Sequence, residues 1–205
     1  LRAGLRRIDA MLYTHTHADH IAGIDDLRGF NFIRNEPIPV YAGAESAAEL
    51  RQRFGYCFTT SPDYEGGSPP DLTLQLIEPF RPLLFAGFEV LPLPVMHGSA
   101  QVLAFRFGPF AYATDCSAIP EQTMAALSGL ECLILDGLRE REHPTHFSQS
   151  EAAEFAMRIG AKQTFLTHIS HEVDHERANN GFRSAWQADI QCAYDGLVIE
   201  LAGRA

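Results

Sequence analysis

Positive charge is scarce in this chain. Lys and Arg number 16 against 26 Asp and Glu in 205 residues, a formal net charge of −10. That balance argues against a protein whose main task is to grip a nucleic-acid backbone. The short basic pieces around Arg6 and Arg7, and around Arg139 and Arg141, read as solvated faces rather than a phosphate track. Long apolar runs are missing too, since none approaches the roughly 18 residues of a membrane span. Cysteine is sparse: Cys57, Cys116, Cys132 and Cys192 lie far apart and form no C-x-x-C pair. This excludes a disulfide framework and predicts reduced, mostly buried thiols of a cytoplasmic protein. No signal peptide, repeat or low-complexity linker is seen. The expectation is therefore one domain over 1–205, long enough to bury a substantial core. An initiator methionine is also lacking: the chain opens on "LRAGLRR", and the start of the natural protein is expected to lie upstream.

Helix-like and strand-like segments alternate throughout. "IDAMLYT" and "IPVYAG" read as buried strands, and "AESAAELRQRF" as a helix after the second. "TTSPDYEGGSPPD" is a loop by its Gly, Pro and Ser content. Four strand-like runs follow, "LTLQLI", "FEVLPLPV", "VLAFRF" and "FAYAT", then a helical "IPEQTMAALS" and a short buried strand "ECLILDG". "SQSEAAEFAMRIG" is the best-marked helix: Ser148 stands three residues before Glu151 as a capping box, and Gly160 is a C′ stop. "AKQTFLTH" is again a strand, and the chain ends on "GLVIEL". Consecutive strands in the middle make this a mixed α/β (α+β) pattern rather than strict alternation.

The dense point is "YTHTHADHIAGIDDLRGFN". His15 and His17 stand two apart at a strand end, so both rings are expected on one side. Asp19 and His20 follow as the chain turns into a helix and point in a new direction. Neutral imidazole is a good ligand for zinc and other first-row divalent ions, and a carboxylate completes or bridges such a site. Two ligands facing one way and two another suggest two neighbouring ions. Three further strand ends deliver His97, Asp115 and His168. Taken singly, each has a plain structural explanation; together they extend the metal reading.

This set, His15, His17, Asp19, His20, His97, Asp115 and His168, resembles the metal signature of the metallo-β-lactamase superfamily. The resemblance implies an αββα sandwich with a dinuclear centre at one edge. His15, His17 and His97 would hold the first ion, Asp19, His20 and His168 the second, and Asp115 would bridge them. "HADHIAGIDDLRGFN", "LDGLREREHPTHFS" and "IGAKQTFLTHISHEVDHE" are similar to the PhnP-like branch, the phosphoribosyl 1,2-cyclic phosphate phosphodiesterases. By that resemblance His146 in "HPTHFS" is the general acid, Asp19 is the other catalytic residue, and His143 is a weaker candidate for a direct role. Relatives carry several strands before H-x-H-x-D-H, whereas only fourteen residues precede His15, so a strand-rich part of the first sheet is expected to be absent. PhnP-like proteins also often hold a structural zinc through a cysteine cluster there. His171 in "THISH" would match its histidine ligand, without the partner cysteines.

The residues and the resemblance together imply a dinuclear hydrolase. Its cofactors would be two divalent ions, zinc or manganese, with iron left open. A hydroxide shared by the ions would attack a small cyclic ribose phosphate while His146 protonates the leaving alkoxide. Two such ions, Asp19, Asp115 and one hydroxide carry a formal charge of about +1, so the local field welcomes an anion in an acidic chain. Other hydrolases of the same fold (thioesterase, lactonase, RNA-processing nuclease) and a non-catalytic metal-binding or assembly protein are the alternatives. The expected partner is a small phosphodiester, with neither nucleic acid nor membrane; the sequence leaves the oligomeric state open, and a homodimer is what the resemblance offers, since dimerisation is common in relatives.

Overall fold

The computed structural model describes residues 4–59, 68–85, 87–186 and 188–201, so most of the expected loop between Thr59 and Asp71 lies outside the described residues. The chain divides into two compact units, Leu1–Phe88 and Glu89–Ala205.

In the first unit, β1 (Met11–Leu12), β2 (Ile38–Ala42) and β3 (Leu72–Leu76) form a parallel sheet in the order β1-β2-β3. Parallel neighbours need crossovers, and helices supply them. α1 (Ala18–Ile21), a 3₁₀ turn (Ala22–Leu27) and α2 (Arg28–Arg34) join β1 to β2, and α3 (Ala44–Phe54) follows β2. Along β2 the residues Ile38, Val40 and Ala42 are buried, while Pro39 and Tyr41 are half-buried. That alternation puts one face on a core completed by Ile21, Ile24, Leu27, Ala47, Leu50 and Leu72. Each large side chain fully buried here stabilises the unit by roughly 1.5–3 kcal/mol. β4 (Leu83–Phe85) is the short last strand of this unit.

In the second unit the strand order is β10-β9-β8-β7-β6-β5. β5 (Phe88–His97) and β6 (Ala100–Phe107) pair antiparallel, as do β6 and β7 (Phe110–Ala113). β8 (Cys132–Asp136), β9 (Gln163–Thr167) and β10 (Ile190–Cys192) then add in parallel to β7. Two antiparallel steps restore the chain direction, so β5, β7, β8 and β9 all end on the same edge. The C-terminal edge of such strands is where α/β sheets place ligands. α4 (Glu121–Ala126), α5 (Gln149–Ile159) and α6 (His175–Ala185) make the parallel connections. β8 is buried on both faces through Cys132, Leu133, Leu135 and Asp136, as a central parallel strand should be.

α5 carries the expected capping box. Glu151 N–H donates to Ser148 Oγ at 3.3 Å, Ser148 N–H donates to the Glu151 carboxylate at 2.8 Å, and Gly160 closes the helix at φ +71°. Three elements go beyond the segments expected from sequence: the short β4, α6 and β10. α6 contains Asn179, Asn180 and Gly181, weak helix formers. It is held by the Asp174 side chain, which accepts from Arg177 N–H at 2.8 Å, and by burial of Ala178 and Phe182. β10 is three residues long and takes its register from β9. The final "GLVIEL" contributes no strand among its described residues, and Val198 is exposed.

Candidate metal centre

The first unit builds its cluster within one turn of chain. β1 ends at Leu12, so His15 and His17 sit on the extended link that follows it, and His17 is the N-cap of α1. His15 is buried, and its ring centroid lies 4.6 Å from that of His17 and 4.3 Å from that of His20. Thr14 Oγ1 is 3.0 Å from His15 Nδ1, which fixes the ring's rotation. Asp19, whose side chain is 64% exposed, places Oδ2 3.4 Å from His20 Nε2. The turn is braced from α3: the Thr16 hydroxyl donates to Glu49, Glu49 pairs with Arg53, and Arg53 donates to Thr16 C=O at 3.2 Å.

The second unit gathers its cluster from four strand ends. His97 closes β5, and its Nδ1–H donates to Thr145 C=O at 2.8 Å. A histidine held this way offers Nε2 to an ion. Gly98 beside it is at φ +62°, and a Cβ there would lie 2.8 Å from Thr145 Cγ2, so the β5–β6 turn can approach Thr145 only as glycine. Asp115, just past β7, is 2% exposed and sits at φ +52°, while His168, just past β9, is at φ +58°. Left-handed backbone at non-glycine residues costs of order 1–3 kcal/mol and persists where the surroundings demand it. Thr114 donates to Asp115 Oδ1 at 2.8 Å, and His168 Nε2 lies 3.5 Å from Asp115 Oδ2.

His146 stacks on His168 with centroids 4.7 Å apart, and its Nε2 is 3.9 Å from Asp115 Oδ2. Its Nδ1–H donates to Asp136 Oδ2 at 2.9 Å. That same oxygen accepts Cys116 N–H at 3.1 Å and Phe147 N–H at 3.3 Å. Asp136 is fully buried at the end of β8 and is not among the residues expected from sequence. The available signal is position: "LILDG" ends a buried strand as the other ligand-bearing segments do. Asp115, His146 and His168 can each turn a ligand atom to within 4.8 Å of the others, a donor set of imidazole and carboxylate that fits a divalent ion. His143 lies 5.1 Å from His146, and burial first, then the neighbouring His146 and Arg139 charges, lowers its pKa. Its Nδ1 is engaged by the Thr145 hydroxyl at 3.2 Å. His171 is exposed, and among the described residues it joins no group of three metal-ligating side chains. All four cysteines are free and buried, and burial pushes Cys57 and Cys192 up to about 11. No helix among the described residues is long and apolar enough to cross a membrane.

Residues 1–169 match the family described as the Beta-lactamase superfamily domain. A solved structure described as a new diphosphatase from the PhnP family is similar at 37% identity with a TM-score of 0.84, over 96% of this chain and 72% of that one. An octanoyltransferase of Porphyromonas gingivalis is 34% identical over 96% of this chain, which spans 39% of that relative's length. A ribonuclease Z of Myxococcus xanthus is 26% identical over 95% of this chain and 81% of its own.

Proposed function

Because this chain belongs to the β-lactamase superfamily and, within it, to the PhnP family, we propose that it is a metal-dependent phosphodiesterase that opens a small cyclic ribose phosphate. His15, His17 and His97 would hold one divalent ion and Asp19, His20 and His168 a second, with Asp115 serving both, and zinc or manganese suits these donors. When bound, such ions supply Lewis acidity toward phosphoryl oxygens and make hydroxide available near neutral pH.

The chain's own part is proton delivery and orientation. The observation that carries the reading is the Asp136–His146 pair beside Asp115. Asp136 receives Nδ1–H, which fixes the ring and leaves Nε2 as the atom that presents a proton to the leaving oxygen. A ribose alkoxide leaves poorly, so this step governs natural substrates more than activated ones. Asp136 takes three N–H donors on one oxygen and so holds the ring in a single orientation through the reaction. Asp19 is placed by α1 at the exposed side of the first cluster, where an incoming substrate can reach it. The relationship to a PhnP-family diphosphatase supports a second candidate bond, the P–O–P link of a diphosphate, which asks the same of His146.

The test is hydrolysis of bis(p-nitrophenyl) phosphate by metal-loaded protein, followed by ribose cyclic phosphates and diphosphates. Turnover abolished by a chelator and restored by zinc or manganese supports the reading. No turnover on any of the three, with two ions bound per chain, overturns it and moves thioesters and lactones forward.

A further inference from the structure

One histidine beside the cluster is not used by the hydrolytic reading. His143 opens the segment "HPTHFS", its ring centroid lies 5.1 Å from that of His146, and among the described residues it joins no group of three metal-ligating side chains. Its hydrogen bonds define what it can offer. Thr145 N–H donates to His143 Nδ1 at 3.4 Å, and the Thr145 hydroxyl lies 3.2 Å from the same nitrogen. A backbone N–H can only donate, so Nδ1 is the bare nitrogen and the ring proton sits on Nε2. Pro144, between the two, has no N–H to compete for Nδ1 and holds His143 in extended backbone. Nε2–H itself meets no acceptor among the described residues.

The neighbouring rings are set the other way. Thr145 C=O takes Nδ1–H of His97 at 2.8 Å, and Asp136 takes Nδ1–H of His146 at 2.9 Å. Both rings therefore turn Nε2 toward an ion or a reacting proton. His143 alone is fixed as a neutral donor, with no free lone pair for a metal or a proton. Burial grades in the same order: His97 and His146 are 7% and 8% exposed, whereas His143 is half-buried next to exposed Pro144. His143 thus stands at the rim of the cluster and His146 inside it.

Building on the phosphodiesterase reading, we propose that His143 is a specificity-determining residue: its Nε2–H donates to an oxygen of the leaving group beyond the one that His146 protonates. The leaving group runs outward from His146 and passes the rim. A sugar fits this donor, because its hydroxyl and ring oxygens lie within a few bonds of the scissile oxygen; aryl and simple alkyl groups offer nothing there. A neutral N–H matches an uncharged hydroxyl or ether oxygen, where a second phosphate would call for a cation. The contact forms in ground and transition states alike, so it acts on KM more than on kcat.

Two measurements on the zinc-loaded full chain test this. Long-range ¹H–¹⁵N NMR reads the tautomers without any turnover. Near neutral pH, His143 is expected to carry its proton on Nε2 and His97 on Nδ1, with the His143 signals identified by their loss in His143→Gln. A proton on His143 Nδ1, or a doubly protonated ring, would overturn the proposal. The second measurement compares substrates. His143→Phe keeps a ring and loses the donor; it should raise KM for a ribose cyclic phosphate by about five- to tenfold, with a loss of no more than about twofold on bis(p-nitrophenyl) phosphate. His143→Gln keeps an N–H donor and should recover most of that KM. Equal losses on the two diesters would mark a structural role, and no loss on either would leave Nε2–H without a substrate oxygen; both outcomes sink His143 and spare the phosphodiesterase reading. If neither diester is hydrolysed, calorimetry with ribose 1-phosphate and inorganic phosphate decides. A preference for the sugar phosphate of about fivefold or more, lost in His143→Phe, keeps His143 and sinks the phosphodiesterase reading alone. No such preference sinks both.

Discussion

The two histidine clusters are built in opposite ways. In the first unit, four candidate ligands fall within six residues of one turn, with His17 and Asp19 exposed and a brace of charged and hydroxyl groups from α3. In the second, His97, Asp115, Asp136, His146 and His168 come from five separate segments, and four of the five are buried. Two of them occupy left-handed backbone. Density in sequence produces an accessible cluster with little strain; assembly by strand ends produces a dry one, where each dipole and charge counts for more because the local dielectric is low.

Matched carboxylates sharpen this contrast most strongly. Asp115→Asn removes a charge that is 2% exposed, and Asp19→Asn removes one that is 64% exposed. The first should cost both ions and lower kcat/KM by roughly 10³-fold or more, beyond the ~10²–10³ of one preorganised electrostatic contact. The second should cost at most one ion and a smaller share of the rate. Metal analysis of both proteins beside steady-state kinetics decides it; equal losses would mean that burial is not what separates the clusters.

His146→Ala comes next. If His146 is the proton donor, metal content is unchanged while turnover of alkyl diesters falls by ~10²–10⁴, with a much smaller loss on p-nitrophenyl diesters. If the mutant instead loses an ion, His146 is a ligand with Asp136 behind it, an arrangement also found around metal-bound histidines. Full activity on an alkyl diester would remove His146 from both roles.

The two braces give a smaller effect and a direct comparison. Asp136→Asn should lower activity by about 10–100-fold and destabilise the fold by roughly 1–3 kcal/mol, because it disturbs a buried oxygen that accepts three N–H groups. Glu49→Ala, at the partly exposed Thr16–Glu49–Arg53 brace, should cost no more than about tenfold. Thermal melts and kinetics on the pair would reverse the comparison if Glu49 proved the more sensitive.

Legibility in the sequence runs along the same division. H-x-H-x-D-H declares itself because its members are neighbours, and α5 because Ser148, Glu151 and Gly160 are local signals that the fold obeys. His97, Asp115 and His168 are recognised through strand ends and a family resemblance rather than through spacing. Asp136 shares the strand-end position but no family motif, and its role exists only once β7, β8 and β9 stand in parallel and Cys116 and Phe147 aim their N–H groups at it. α6 is hidden by its Asn-Asn-Gly run, which tertiary burial of Phe182 overrides.

His171 marks the limit of what position alone confers. It stands three residues after His168 and matches a zinc ligand of PhnP-like proteins, yet it is exposed and shares no cluster with other metal-ligating side chains among the described residues. A residue in that setting, removed, changes stability by no more than about 0.5 kcal/mol. His171→Ala should therefore keep the parent's ion-to-protein ratio, melting temperature and turnover. The ratio is the decisive number, because a structural ion contributes folding free energy directly and its loss would lower the melting point together with the metal count. A fall by one ion per chain would make His171 a true ligand and add a third place, beside the local turn and the assembled strand ends, where this sequence builds for metal.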